Sequence, residues 1–301
     1  MNILITGATG LVGKKLVATL RKEHHVVHYL TTSKSKLLEK KNYKGFYWNP
    51  ISGEIDTAAF QDVEVIIHLA GASISKKWTK SYKKEIFESR INGANLIFNT
   101  LNQIPHTVKR FVSASAIGIY PNDLHQVYSE TNSSIDDSFL GEVTQAWEMS
   151  AHQFKNLNIA VTIVRIGVVL AKESGALVEM AKPIRYGFGS ALGTGNQFVS
   201  WIHIDDLVAL FKYVLDKNLH GIYNAVSPYP VTNKELTVAI AKTLHKPLFL
   251  PKVPVIVLKL MLGEMHIIIV NGQCVSCRKI LDTGFQFNYA SLEKALVNLL
   301  Q

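Results

Sequence analysis

Three glycines, at positions 7, 10 and 13 in TGATGLVG (6–13), have the G-x-x-G-x-x-G spacing of a phosphate-binding turn. The stretch follows a strand-like run, NILIT (2–6), and opens a helical pattern over 11–22. In that setting Gly7 permits a tight turn, Gly10 lets the backbone approach a pyrophosphate, and Gly13 lets helix and strand pack closely. The free N–H groups of the helix start then face the phosphates. Thr9, Leu11 and Val12 fill the rest of the expected dinucleotide cradle; the plainer reading is a structural turn.

The second strand bears on which dinucleotide is bound. A carboxylate at its end would grip the adenine ribose 2′-hydroxyl of NAD. YLTTSKSK (29–36) has none, and Thr32, Ser33 and Lys34 offer hydroxyls and positive charge instead. NADP is therefore expected over NAD, unless Lys34 and Lys36 are ordinary surface lysines. HLAG (68–71) ends another strong strand, so His68, Leu69, Ala70 and Gly71 are expected beside the dinucleotide. His68 itself reads better as a buried, hydrogen-bonded histidine than as a catalytic base.

The elements that must hold these residues alternate. Strand-like runs at 2–6, 26–30, 45–48, 63–70, 110–116 and 159–166 are separated by helical patterns at 11–22, 80–102 and 139–155. This argues βαβ units and an α/β, Rossmann-like parallel sheet covered by helices on both faces. After about residue 168 the pattern loosens: glycines cluster over 186–197, and prolines occur at 228, 230, 247, 251 and 254. The expected organisation is a dinucleotide-binding domain over 1–170, its sheet completed by parts of 195–226. A smaller mixed α/β lobe over 171–301 is expected on the substrate side. WIHIDDLVALFKYVLD (201–216) reads as a short strand and then a helix, with Asp205 or Asp206 suited to the N–H groups of its first turn.

The 301 residues are 48% apolar, enough for a sizeable core, and carry 32 Lys and Arg against 23 Asp and Glu. The net charge of +9 suits a polyanion, but no basic run mixed with aromatics marks a nucleic-acid platform. Cys274 and Cys277 form a single CxxC without a second pair, so two reduced cysteines are expected and no metal site. VPVIVLKLMLGEMHIIIV (253–270) is interrupted by Lys259, Glu264 and His266. It reads as one buried helix followed by core residues, not as a membrane span. With no signal-peptide pattern at the start, a cytoplasmic protein without membrane partners is expected.

Taken together, TGATGLVG, HLAG, SASAIGIY (113–120) and WIHIDD (201–206) resemble the extended short-chain dehydrogenases of the NAD(P)-dependent epimerase/dehydratase superfamily. More narrowly, the whole chain is similar to the atypical "epimerase family protein" branch with its own C-terminal domain of unknown function, here about 245–301. The branch pattern is carried by HLAGASISKKWT (68–79), Ser89-Arg90, Trp147-Glu148, RIGVVL (165–170), LGTGNQFVSWIHIDD (192–206) and GIYNAVSPYPVTNKEL (221–236). The chain departs from it at Lys77 and Thr32, where members often have Arg, and in the segment holding the cysteines.

The resemblance implies a dinucleotide-binding domain with a small substrate between it and the C-terminal lobe, and a homodimer is expected because superfamily relatives often pair through long helices. In the wider superfamily a tyrosine and a lysine one helical turn apart do acid–base work beside a hydride carrier. By register they fall at Leu140 and Thr144, so the pair is missing. Ser115 fits the superfamily serine, and Tyr120 is the best surviving phenol; both are the catalytic candidates. Tyr213 and Lys217 form a second Y-x-x-x-K, read as one aromatic turned inward and one lysine in water. Lys77, Arg90 and Arg165 are candidate anchors for an anionic substrate, with Arg165 also assigned to the cofactor. Trp201, His203 and Asn224 are candidates for the substrate side. The expected function is an NADP(H)-binding oxidoreductase or epimerase-like enzyme acting on a small carbonyl or hydroxyl compound. The alternative is a dinucleotide-binding sensor with little or no turnover.

Overall fold

A computed structural model describes residues 1–301. The chain opens with β1 (Asn2–Thr6), α1 (Leu11–Lys22) and β2 (Val26–Thr31), followed by β3 (Glu39–Lys40), β4 (Tyr43–Asn49), β5 (Glu54–Ile55) and β6 (Val65–His68). The long α2 (Lys80–Leu101) leads to β7 (Arg110–Ala116), β8 (Asp123–Tyr128), α3 (Phe139–His152), β9 (Ala160–Ile166) and β10 (Val168–Leu170). Then come α4 (Ala176–Arg185), β11 (Phe198–Val199), β12 (Trp201–His203), α5 (Ile204–Asp216), β13 (Gly221–Ala225), β14 (Val231–Thr232) and α6 (Asn233–Thr243). The chain ends with α7 (Val255–Leu262), α8 (Ile267–Val270), β15 (Gln273–Val275), α9 (Arg278–Asp282) and α10 (Leu292–Leu300).

The main sheet runs β13-β9-β7-β6-β1-β2-β4-β3, with β5 also on β4. It is parallel from β13 to β4 and antiparallel only at β3 and β5. Strand alternation sorts its side chains onto two cores. Ile3, Ile5, Val65, Ile67, Val112 and Ala114 pack with Leu16 and Leu20 of α1 and Leu207 and Phe211 of α5. Leu4, Ile66, Phe111, Val161 and Ile163 face the other way, against Ala94 and Ile97 of α2 and Ala151 and Phe154 of α3. This is the expected α/β sheet covered on both faces. β1 lies between β2 and β6, so the connections reverse direction there and leave a crevice at its carboxyl end.

The smaller part is built from two-stranded pieces, β10-β12, β11-β14 and β15-β8. A third core joins Leu177 and Ala181 of α4, Leu236 and Ile240 of α6, and Leu296 and Leu299 of α10. The expectation of one buried helix within 253–270 does not hold. α7 buries only Leu258, while Ile256, Leu260 and Met261 are 69%, 82% and 75% exposed. An apolar run of this length is ambiguous between core and surface, and here tertiary contacts cover one side only. No helix is long and apolar enough to cross a membrane. Both cysteines are free thiols, and burial pushes Cys277 up to about 11, so it stays protonated at neutral pH.

Candidate functional site

The glycine turn is built as its spacing demands. Gly7 has φ +70°, a left-handed conformation, and a Cβ there would lie 2.8 Å from the Leu69 carbonyl. A Cβ at Gly13 would lie 2.2 Å from the Gly7 oxygen, so only glycine lets α1 sit this close to the turn. Gly10 caps α1 with no side-chain hydrogen bond, and no acidic residue occupies the first turn. The free N–H groups of Leu11, Val12 and Gly13 and the positive end of the helix therefore face the crevice without a competing anion. Thr9 and Gly10 are exposed there. These residues fit a pyrophosphate.

Thr6, which sequence reading did not single out, locks this turn to the next strand. Its hydroxyl accepts the N–H groups of Leu69 and Ala70, both at 3.1 Å, and pairs with His68 Nδ1 at 2.9 Å. With two donors already on the oxygen, the hydroxyl proton goes to Nδ1, so His68 carries its proton on Nε2 and donates to the Arg90 carbonyl at 3.3 Å. Burial lowers the His68 pKa to about 4, which keeps the ring neutral. His68 is thus the fully buried residue that sequence reading preferred, and it reaches the crevice only through Thr6.

Ser115 and Tyr120, the catalytic candidates, are not brought to the crevice surface. Both are buried in one hydrogen-bonded network, three members of which, Tyr120, Glu148 and Arg165, also line a cavity. Ser115 donates to Glu148 at 2.6 Å, and Arg165 forms a two-pronged pair with the same carboxylate, Nε to Oε1 and Nη2 to Oε2, each 2.8 Å. Arg165 Nη1 reaches the Tyr120 hydroxyl at 2.8 Å, and that hydroxyl donates to Asn224 Oδ1 at 2.8 Å. The Asn224 amide donates to the Ser276 carbonyl at 2.9 Å. Burial alone would lower the Arg165 pKa, but hydrogen bonds to Glu148 and its charge outweigh this and raise it. Burial likewise raises the Tyr120 pKa. Glu148 neutralises Arg165, the candidate anchor for an anion, and Asn224, a candidate for the substrate side, is fully buried.

Trp201 and His203 are both fully buried. Trp201 is buried with Nε1 on the Tyr229 carbonyl at 3.1 Å. His203 caps α5 by accepting the Asp205 N–H, meets Asn298 of α10 at 3.1 Å and stacks on Tyr289. His203, a candidate for the substrate side, thus packs between α5 and the chain end. Leu140 offers no polar group, and the Thr144 hydroxyl donates to the Leu140 carbonyl. Neither replaces the missing pair. Tyr213 gives its hydroxyl to the Thr283 carbonyl at 2.6 Å, and Lys217 is exposed, as read.

Lys77 is exposed. Arg90 is part-buried beside Gly71, with its guanidinium over the Trp147 ring at 5.0 Å. Two cavities stand out, and neither is lined by Lys77, Arg90 or the glycine turn. One, of about 680 Å³, lies between Trp78, Lys83 and Phe139 on one side and Ile256, Leu260 and Ile267 on the other. It is bridged by Lys83 and Glu264 at 2.7 Å. The second, of about 320 Å³, is lined by Tyr120, Glu130, Glu148, His152 and Arg165.

With this geometry in place, comparison with known proteins is decisive for the family. Residues 3–225 match the NAD dependent epimerase/dehydratase family, and 253–299 match a domain of unknown function, DUF1731. The chain is similar to epimerase family protein YfhF of Bacillus subtilis (strain 168), 34% identical over 302 residues, covering 100% of this chain and 98% of that one. Among solved structures it resembles human epimerase family protein SDR39U1 (isoform2) with NADPH. The TM-score is 0.87 and the identity 28%, over 99% of each chain. MoeE5 in complex with UDP-glucuronic acid and NAD has the same fold, with TM-score 0.79 and 18% identity over 98% of this chain and 96% of that one.

These structures overturn the expectation of NADP over NAD. NAD is the dinucleotide in MoeE5 and in the UDP-glucuronic acid 4-epimerase of Bacillus cereus, and it predominates over the NADPH of the human protein. The end of β2 supplies a physical reason. Lys34 rests on the Tyr47 ring, 4.9 Å from its centroid. Ser33 pairs with Ser35 and its N–H bonds Thr31, so part of the hydrogen-bonding capacity counted for a 2′-phosphate is taken up within its own loop. The full-length matches and the glycine turn lead to one conclusion: the chain belongs to the NAD dependent epimerase/dehydratase family, among the epimerase family proteins with a C-terminal DUF1731 domain, as an NAD(P)-dependent oxidoreductase or epimerase-like enzyme.

Proposed function

We propose that this protein binds a nicotinamide dinucleotide and acts as an oxidoreductase or epimerase-like enzyme on a small carbonyl or hydroxyl compound of the nucleotide-sugar kind. One observation carries the reading: a bare-backbone turn at 7–13, closed to any side chain at Gly7 and Gly13, in front of a helix start with no acidic residue. When bound, the dinucleotide supplies or accepts a hydride at the substrate carbon. The chain binds and orients. The first-turn amides of α1 hold the pyrophosphate, and Thr6 holds Leu69 and Ala70 in place as the neighbouring wall.

In this reading Ser115 and Tyr120 are positioning residues: through Glu148, Arg165 and Asn224 they hold the turn after β7 at the carboxyl edge of the sheet. Lys77 and Arg90 face the substrate. Residues 1–170, with parts of 195–226, form the dinucleotide-binding domain, and 171–301 form the substrate-side lobe. The 680 Å³ cavity between Trp78 and Leu260 supports a substrate between the two, since small-ligand sites span about 300–1,000 Å³. The nucleotide-sugar class rests on fold neighbours named as complexes with UDP-glucose or UDP-glucuronic acid.

The internal satisfaction of Ser115 and Tyr120 favours a second reading, a dinucleotide sensor with little turnover. Calorimetric titration with nicotinamide dinucleotides, oxidised and reduced, tests the binding claim: association is expected, and its absence with all of them overturns both readings. Reduced-nicotinamide absorbance that changes with a panel of nucleotide sugars supports turnover. Absorbance that never changes supports the sensor.

A further inference from the structure

The exposed face of α7 forms one wall of the larger cavity. Ile256 and Leu260, one helical turn apart, line it together with Ile267 of α8. Trp78 and Phe139 line the other side. These two rings meet edge to face, 5.2 Å between centroids, and Ile267 packs against the same cluster. The result is a slot of about 680 Å³ with apolar side chains on both walls. A single exposed leucine is ordinary on a protein surface, but apolar walls that face each other mark a binding site. The α7 wall lies in the 253–299 domain and the aromatic wall within the 3–225 match, so the slot exists only because both are present.

Its polar groups are few, and all are ionisable. Lys83, Lys259, Glu264 and His266 complete the lining with Gly263, and no Ser, Thr, Asn, Gln or Asp side chain takes part. A sugar ring lodged there would leave most of its hydroxyls without partners, which disfavours a saccharide. A hydrocarbon or aromatic group has no such cost and gains from the area it takes out of water.

The charges are unequal. Lys83 meets Glu264 at 2.7 Å and lies over the Phe139 ring, 4.7 Å from its centroid. His266 donates its Nδ1–H to the Gly263 carbonyl at 2.8 Å. Lys259 pairs with no carboxylate. Two lysines against one carboxylate leave the slot positive, which selects an anion over a cation. The lining also argues against a protein partner: interfaces enrich arginine and tyrosine and deplete lysine, and here two lysines stand without either. The volume falls within the roughly 300–1,000 Å³ of small-ligand sites.

We infer that the slot binds a small amphiphilic anion, with a hydrocarbon or aromatic group between α7 and the Trp78–Phe139 pair and a carboxylate or phosphate end met by Lys259. This rests on the reading above that substrate lies between the two domains, and it names the class of group held there. A nucleotide sugar enters the slot only through such a group.

The reporter is the indole ¹H–¹⁵N signal of Trp78, whose Nε1–H is held on the Ile74 carbonyl at 3.0 Å; its loss in Trp78→Phe identifies it. The full-length protein is titrated with decanoate below its micelle concentration and, in parallel, with acetate, decyltrimethylammonium and UDP-glucose. A saturable shift with decanoate is expected. Acetate, which lacks the chain, should be at least about tenfold weaker, and decyltrimethylammonium, which reverses the charge, at least about threefold weaker. Lys259→Gln should weaken decanoate by about two- to fivefold. Leu260→Asp should weaken it at least about tenfold; the position is 82% exposed, so an unchanged thermal midpoint is expected beside that loss. No saturable shift with decanoate in the wild-type protein overturns the inference, and so does UDP-glucose or decyltrimethylammonium binding as tightly as decanoate. If decanoate fails, co-sedimentation with phosphatidylglycerol vesicles, or a dimer that Leu260→Asp dissociates, identifies what covers α7 instead. Decanoate is titrated without dinucleotide, so its failure leaves the cofactor reading intact, whereas failure of dinucleotide to bind defeats the proposed function and leaves the slot to be read separately.

Discussion

Thr6 and His68 show how one hydroxyl can organise a phosphate site. The threonine fills three hydrogen-bonding roles, and each acts on backbone or ring rather than on ligand. The cost is a neutral histidine in the core, which makes stability depend on pH. With a folded-state pKa of about 4 against 6.5 for the free side chain, the unfolded chain binds a proton between these values that the folded chain refuses. Stability is therefore full above pH 6.5 and falls as pH drops toward 4, by an amount on the order of 3 kcal/mol. Chemical denaturation across that range should show the fall, and His68→Asn, which does not titrate, should remove its share. Glu148 gives a second residue-scale expectation. Glu148→Gln takes the charge from a pair in which both side chains are 7% exposed. It should destabilise the protein by about 3–5 kcal/mol, because Arg165 is left buried and unpaired. An unchanged denaturation midpoint would remove the network from the account of the fold.

At the scale of elements, the junction of β1 and α1 depends on absent side chains. Gly13→Ala sets a Cβ 2.2 Å from the Gly7 oxygen, so α1 must move away from the turn. Dinucleotide binding should fall at least about tenfold, with a loss of stability in the 1–3 kcal/mol range of overpacked sites. Calorimetry and thermal unfolding on the same sample separate the two. α6 starts at a complete capping box, with Thr232 accepting the Glu235 N–H and Glu235 accepting the Thr232 N–H. Thr232→Ala should lower stability by about 1 kcal/mol without touching dinucleotide affinity. A loss of binding in that variant would mean that α6 and the glycine turn are coupled.

For the whole molecule, the chain end is fastened to the main sheet by Asp206. Its buried carboxylate accepts the N–H groups of Asn288 and Tyr289, both at 2.9 Å, from the first turn of α5. Those bonds work against burial, which raises its pKa. Asp206→Ala orphans both amides and should cost about 2–4 kcal/mol, with faster proteolysis near 284–291. The bridge between Lys83 and Glu264 spans the same two regions at the surface, where solvent screens it, and Glu264→Gln should leave the denaturation midpoint essentially unchanged. Together these changes rank the attachments: the buried carboxylate holds the chain end, and the exposed pair only trims the cavity mouth.

Local chemistry settled much of this protein in advance. The glycine spacing named the turn, and the alternation of strand and helix named the sheet, because both depend on periods of a few residues. β1, α1 and β7 start and stop within a residue of where their patterns do. Only the tertiary structure decided which polar side chains face a ligand. Ser115, Tyr120, Glu148, Arg165 and Asn224 look like a site in sequence. They meet because β7, β9 and β13 are neighbours in register, with Ser115 opposite Arg165 and Arg165 opposite Asn224. There they satisfy one another. Arg90 and Trp147 lie on different helices and have no such partners. A donor is known to be free only when every neighbour that might accept from it has been placed, and neighbours 57 residues apart in the chain are placed by packing, not by spacing.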